Sequence, residues 1–207
     1  MRPFIHINCA MSADGKIAGS ERKQVRISSQ EDKDRVKSLR RTYDAILVGV
    51  GTIVSDDPHL TVKGRTYEEN QIRIVIDPAG RIPHDALVLD DRARTLIAVS
   101  GDHDEEIPGA ELVKCGTPFD LDILMDRLTQ MDIESILVEG GGETIASFFR
   151  KGLVDRYTVF VGSKIIGGRT APTPVDGDGW VIEDGFPLKL TGAETLGDGV
   201  LISYERV

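Results

Sequence analysis

Apolar and polar positions alternate from the start of the chain. In FIHINCAM (4–11), Ile5, Ile7 and Cys9 interleave with His6, Asn8 and Ala10, which is the period of a strand. SADGKIAG (12–19) breaks that pattern with Asp14-Gly15 as a turn dipeptide. Ser28 followed by Glu31 has capping-box spacing and predicts a helix carrying Val36, Leu39 and Tyr43 on one face. DAILVGVG (44–51) lacks alternation and reads as a buried strand ending in glycines, followed by the polar loop TIVSDDPHLTV, in which Thr52 is a possible N-cap of a short helix. IRIVIDP (72–78), TLIAVS (95–100) and SILVE (135–139) are strands of the same kind. DLDILMDRLTQM (120–131) places Leu121, Leu124, Leu128 and Met131 at helical spacing, and a second helix runs through Phe148 and Phe149.

Strands and helices alternating in this way predict an α/β fold with a mostly parallel sheet flanked by helices. The end of the chain differs. Segments 154–168, 188–197 and 199–207 read as strands with no helix between them, and Asp198-Gly199 signals a hairpin. The expectation is a mixed sheet finished by an antiparallel C-terminal hairpin. No repeat, linker or low-complexity stretch divides the chain, so residues 1–207 read as a single domain.

Charge narrows the partners. The net charge of −9, from 34 acidic and 25 basic residues, argues against nucleic acid or an anionic membrane surface, while leaving room for a local basic pocket. Residues 1–11 are too short and polar for a signal peptide, and no apolar run is long enough to span a bilayer, so a cytoplasmic location is expected. Cys9 and Cys115 are far apart and lack metal-type spacing; they read as lone thiols, with no metal site. His84 and His103 read as surface loop residues, and His59, beside Asp56 and Asp57, as a possible ligand contact. No hydrolase triad or metalloprotease pattern is present, and hydride transfer suits so sparse an inventory of reactive side chains.

In open α/β sheets, ligands bind beyond the carboxyl ends of the strands. Four polar or glycine-rich segments fall at such ends: Asn8 to Gly15, Gly49 to Thr61, Asp77 to Arg81 and Glu139 to Thr144. The glycine loop, VEGGGETI, fits neither the dinucleotide fingerprint, because position 145 is Ile, nor a Walker A loop. Two readings remain: bare backbone N–H groups at a helix N-terminus meeting an anion, or a tight strand-to-helix turn. Three successive glycines exceed what a turn requires, which favours the anion. For Asp56 and Asp57, turn capping competes with hydrogen bonding to a sugar or heterocycle.

Together, NCAMSADGKIAG, DAILVGVGTIVSDDPHLTV, IRIVIDPAGRIP, SILVEGGGETIASFF and DRYTVFVGSKIIGG resemble the riboflavin-biosynthesis reductases of the dihydrofolate-reductase-like fold. The resemblance runs from residue 4 to residue 204 and is nearest to the stand-alone archaeal type, which reduces 2,5-diamino-6-ribosylamino-4(3H)-pyrimidinone 5′-phosphate. The bifunctional relatives carry a zinc deaminase in front, for which this chain has neither the cysteines nor the length. What the resemblance implies is NADPH-dependent reduction of a ribosyl C1 to a ribityl chain in a homodimer, with NADH as an alternative donor. Implied cofactor contacts are Ala10 and Arg26, then Thr52, Asp56, Asp77 and Pro78. The loop formed by Gly140, Gly141, Gly142, Glu143 and Thr144 joins them. Implied substrate contacts are Asn8, Gln24, Leu60 and Glu139, with Arg40 and Lys63 at the 5′-phosphate. Glu139, or a water held by Asp57, is the candidate proton donor. Two alternatives stand beside this: a non-catalytic nucleotide-binding module and a dihydrofolate-type reductase.

Overall fold

The computed structural model describes residues 1–21 and 25–207, with Gln24 outside them. Its nine strands are β1 (Phe4–Ser12), β2 (Ala45–Gly49), β3 (Ile72–Ile76), β4 (Thr95–Val99), β5 (Glu111–Lys114), β6 (Ser135–Gly140), β7 (Arg156–Gly162), β8 (Leu188–Leu196) and β9 (Gly199–Arg206). The helices are α1 (Gln30–Arg40), α2 (Val50–Asp56), α3 (Leu121–Gln130) and α4 (Gly142–Arg150). The sheet order is β5-β4-β3-β2-β6-β1-β7-β9-β8. Pairings β1–β7, β2–β3, β3–β4 and β4–β5 are parallel, and β7–β9 and β8–β9 antiparallel. The expected mixed α/β sheet with its C-terminal hairpin is therefore observed.

The chain forms two compact units, one of Met1–Phe4 and Leu39–Val138, the other of Ile5–Ser38 and Glu139–Val207. In the first, β2 and β4 are buried along their whole length, as runs without alternation predict. Ile46 and Val48 of β2 and Ile97 and Val99 of β4 join Ile53, Leu60, Val75, Val88 and Ile107 in one apolar cluster. Helix α3 starts at Asp120, whose carboxylate accepts from the Asp122 N–H, and buries Leu121, Leu124, Met125 and Leu128. Arg73 lies fully buried on β3, and every donating nitrogen of its guanidinium is used. Nε donates to Thr95 Oγ1 and Nη1 to Asp90 Oδ1, both at 2.8 Å, and Nη2 to the Asp90 and Ala93 carbonyls.

In the second unit, α4 buries Ile145, Ala146, Phe148 and Phe149, and Phe149 meets Tyr157 of β7 edge to face at 5.6 Å between centroids. Helix α1 departs from its expected apolar stripe. Val36 and Leu39 are only half-buried, Tyr43 lies beyond the helix end, and the one buried residue is Asp32.

Several local expectations need correction. The α1 cap is Ser29, not Ser28: its hydroxyl accepts from the Asp32 N–H at 3.2 Å. The polar loop after β2 opens directly as α2 with Gly49 at the N-cap, so Thr52 sits inside the helix. Strand β5 was not foreseen, and the segment expected as strand over 154–168 is strand only over Arg156–Gly162. The hairpin register pairs Leu196 with Gly199, which makes Gly197-Asp198 the two-residue loop, with Gly197 at φ +59°.

Candidate active site

In the first unit, the parallel register sets Gly49 beside Ile76 and Ile76 beside Ala98, so the carboxyl ends of β2, β3 and β4 align. Their following residues carry Thr52, Asp56, Asp77 and Pro78. Thr52 is half-buried and Asp56 exposed at the last position of α2. Asp57 and Leu60 both take left-handed backbone, at φ 42° and 52°, unusual for residues with side chains and rarer still for a leucine. Asp57 Oδ1 accepts from the Leu87 N–H at 2.8 Å, which ties this bend down. Leu60 is buried in the apolar cluster, Lys63 is exposed and Arg40 half-exposed. His59 is held within the chain, its Nδ1 lying 3.1 Å from Asp90 Oδ2.

Asp77 is fully buried. Its Oδ2 accepts from the Ile82 N–H at 2.8 Å, Oδ1 finds no hydrogen-bond partner among the described residues, and Arg81 Nε stands 3.9 Å from it. The Pro78 carbonyl accepts from the Ser100 N–H at 3.0 Å and so joins the loops after β3 and β4. His103, expected at the surface, instead packs over Gly80, with its Nε2 buried and without a hydrogen-bond partner among the described residues. Gly80 has φ +63° and no room for a Cβ beneath that ring, a packing relation invisible in composition.

In the second unit, β1 pairs with β7, which places Asn8 opposite Thr158 and Ala10 opposite Phe160. Glu139 is half-buried at the end of β6, and the three glycines lead into α4. Two of them answer to different demands. Gly141 has φ +84°. At Gly142 a Cβ would come 2.5 Å from the Thr173 carbonyl oxygen and 2.6 Å from Asp176 Oδ2. Segment 173–176 is stitched there, the Asp176 N–H donating to the Gly142 carbonyl at 3.1 Å. What comes too close to this backbone is, at Gly142, the chain itself. Gly141, the N-cap of α4, has no side chain with which to cap the first turn. Backbone N–H groups at a helix N-terminus suit an anion, and the Asp176 carboxylate already lies against this turn.

Asp14, read only as a turn residue, anchors a second loop. Its carboxylate accepts from Ser12 Oγ at 2.6 Å and from the N–H groups of Ile166 and Gly167 at 3.1 and 2.6 Å. These bonds, led by that of Ser12, lower its pKa to about 2. Arg26 is exposed, and its carbonyl accepts from Lys164 Nζ at 3.0 Å. Burial pushes the Cys9 thiol up to about 11 and Cys115 to about 12, and both are free. Neither is an activated nucleophile.

The model of the RibD C-terminal domain family matches residues 3–202. The chain belongs to that family. Among its RibD-domain relatives, a 2,5-diamino-6-ribosylamino-4(3H)-pyrimidinone 5′-phosphate reductase of Methanothermobacter thermautotrophicus is 40% identical over 99% of this chain and 98% of its own length. One with the same description from Archaeoglobus fulgidus is 38% identical over 98% of each. The riboflavin biosynthesis protein RibD of Actinobacillus pleuropneumoniae is 33% identical, and this RibD-domain chain spans 57% of it. In a Thermotoga maritima deaminase/reductase crystal structure, 57% of the chain superposes on all of this one with a TM-score of 0.83 at 25% identity. The fold also matches the Saccharomyces riboflavin biosynthesis reductase Rib7, at TM-score 0.77 and 21% identity.

Proposed function

We propose that this chain catalyses the NADPH-dependent reduction of 2,5-diamino-6-ribosylamino-4(3H)-pyrimidinone 5′-phosphate, converting the ribosyl side chain to ribityl. The observation that carries this reading is similarity over essentially the full length of two relatives bearing that reductase name. Support from the fold comes from the uncapped first turn of α4, where backbone donors and the helix dipole suit a dinucleotide diphosphate. When bound, the nicotinamide supplies hydride for the ribosyl C1. The chain's own work is then to orient two ligands, an effect that contributes about 7–11 kcal/mol in well-aligned systems.

Within this proposal Gly140 to Thr144 face the diphosphate, Thr52, Asp56 and Pro78 the rest of the dinucleotide, and Arg40 and Lys63 the 5′-phosphate. Glu139 is the proton donor for opening the glycosylamine ring. Asp57, with one oxygen committed to Leu87, serves to hold the loop carrying Leu60. The protein works as a cytoplasmic homodimer through the β8–β9 hairpin, where Leu190 on the edge strand β8 is 58% exposed and Val200 on the adjoining β9 37% exposed.

The test follows reduced-nicotinamide absorbance with the ribosylaminopyrimidinone phosphate as substrate. Substrate-dependent oxidation of NADPH, faster than that of NADH, is expected. A protein that is thermally stabilised by NADPH but never oxidises it is a binding module, and reduction of dihydrofolate would indicate the other reductase chemistry.

A further inference from the structure

Helix α1 buries a single residue, and that residue is an acid. Asp32 is 1% exposed. Its Oδ1 accepts from Arg35 Nε at 2.9 Å and Nη2 at 2.8 Å. Arg35 Nη2 also donates to Asn8 Oδ1 at 2.7 Å, and that same oxygen accepts from Thr158 Oγ1 at 2.9 Å. Thr158 Oγ1 lies 2.9 Å from His6 Nε2. With its own proton given to Asn8, the hydroxyl accepts there, which fixes His6 as the Nε2–H tautomer. The relay thus crosses α1, β1 and β7 within the second unit.

Desolvating a carboxylate and a guanidinium is costly, and an apolar contact of similar volume would hold α1 to the sheet at least as well. Holding the helix therefore does not account for the arrangement. Its donor count does. Arg35 has five N–H groups, of which Nε and Nη2 supply three to Asp32 and Asn8. The two on Nη1 meet no acceptor among the described residues. The Asn8 oxygen is saturated by two donors, so its amide cannot flip, and its NH2 is likewise without a partner among them. Arg35, 20% exposed, is the accessible end of the relay, while Asn8 is 5% exposed. Two N–H groups on Arg35 Nη1 and two on the Asn8 amide, four donors in all, make a corner for oxygen acceptors.

We infer that Arg35 and Asn8 form a substrate-contacting corner that binds acceptor oxygens of the ribosylaminopyrimidinone phosphate, with Asp32 as the positioning residue that sets the Arg35 fork. This rests on the reductase reading for the identity of the substrate. The acceptor oxygens come either from the pyrimidinone and ribose or from the phosphate, and both present the same chemistry to the fork.

The experiment measures KM, kcat and NADPH affinity for the full chain and for Arg35→Ala. Arg35→Ala is expected to raise substrate KM roughly 10- to 100-fold, the range for hydrogen bonds to a charged group, with NADPH affinity within about twofold of the parent. Added guanidinium ion should lower that KM again, while melting temperature and NADPH affinity, which a merely structural role would move, stay near parental values. Asp32→Asn should raise KM less than Arg35→Ala. Repeating the comparison with the dephosphorylated substrate separates the sources: an effect of Arg35→Ala that persists assigns the ring and sugar oxygens, and one that vanishes assigns the phosphate. An unchanged KM overturns the inference, as does a joint loss of melting temperature, NADPH affinity and KM without guanidinium rescue. If Arg35→Ala does not fold, Arg35→Lys decides, since it keeps the charge but lacks the planar fork. A raised KM at an unchanged melting temperature supports the inference, and parental KM overturns it. Absence of turnover by the parent protein would instead sink the reductase reading itself.

Discussion

Burial, with the Arg156 and Arg35 guanidiniums adding to it, holds the His6 imidazole at about 3, far below its ordinary 6.5. Between those values the unfolded chain binds a proton that the folded chain does not, so stability rises with pH across the window and is lost as the pH falls through it. Melting temperature should therefore drop on acidification from about pH 6.5 toward 4, and His6→Gln should flatten that part of the profile. Below about pH 4, carboxylates such as Asp14, whose pKa is lowered to about 2, add a slope of the same sign. A profile identical in parent and variant would remove His6 from the account. The strand alternation revealed that His6 and Asn8 share a face, but not what that face meets. Arg35 and Asp32 escaped notice because salt-bridge spacing on a helix is ordinary at exposed positions. Burial alone distinguishes this pair. Arg73 was equally illegible: a cation in IRIVI reads as solvent-facing until its partners at Asp90, Ala93 and Thr95 are seen.

Helix α4 shows how one element can be foreseen while its reason is not. The strand–glycine–helix passage was plain in VEGGGETI, and the observed helix is Gly142–Arg150. Gly142 is required because segment 173–176, thirty residues on, packs against its Cα. Gly142→Ala should therefore destabilise by about 1–3 kcal/mol, since a backbone carbonyl has to move, and NADPH affinity should fall with the displaced first turn. Chemical denaturation and NADPH titration check this, and an alanine variant with parental values would mean that segment 173–176 yields freely. Helix α2 was anticipated only as a short helix capped at Thr52, and its start at Val50 was hidden for a related reason. TIVSDD carries loop-forming residues, and β-branched Ile53 and Val54 favour strands. Burial of Val50 and Ile53 outweighs those propensities. Strand β5 has only four residues and one fully buried side chain, too short a signal to read.

At the scale of the whole molecule, the antiparallel finish has an observable consequence. β8 is outermost in the sheet order, and its residues are exposed or half-buried throughout. Replacing Leu190 and Val200 together by lysine should convert a dimer to monomer in light scattering, with the melting transition of the monomer still cooperative. A parental species of monomer mass would place no partner on this edge. The sequence by itself determined the α/β class, the run of buried strands, the terminal hairpin and the family, because these depend on local period, on turn chemistry and on motifs contiguous in the chain. The tertiary structure alone decided which charges are buried, why Gly142 bears no side chain, and that Asp32, Arg35, Asn8, Thr158 and His6 form one relay. Those facts depend on contacts between residues as much as about 150 positions apart, and no local pattern encodes the dielectric or the neighbour that such a contact creates.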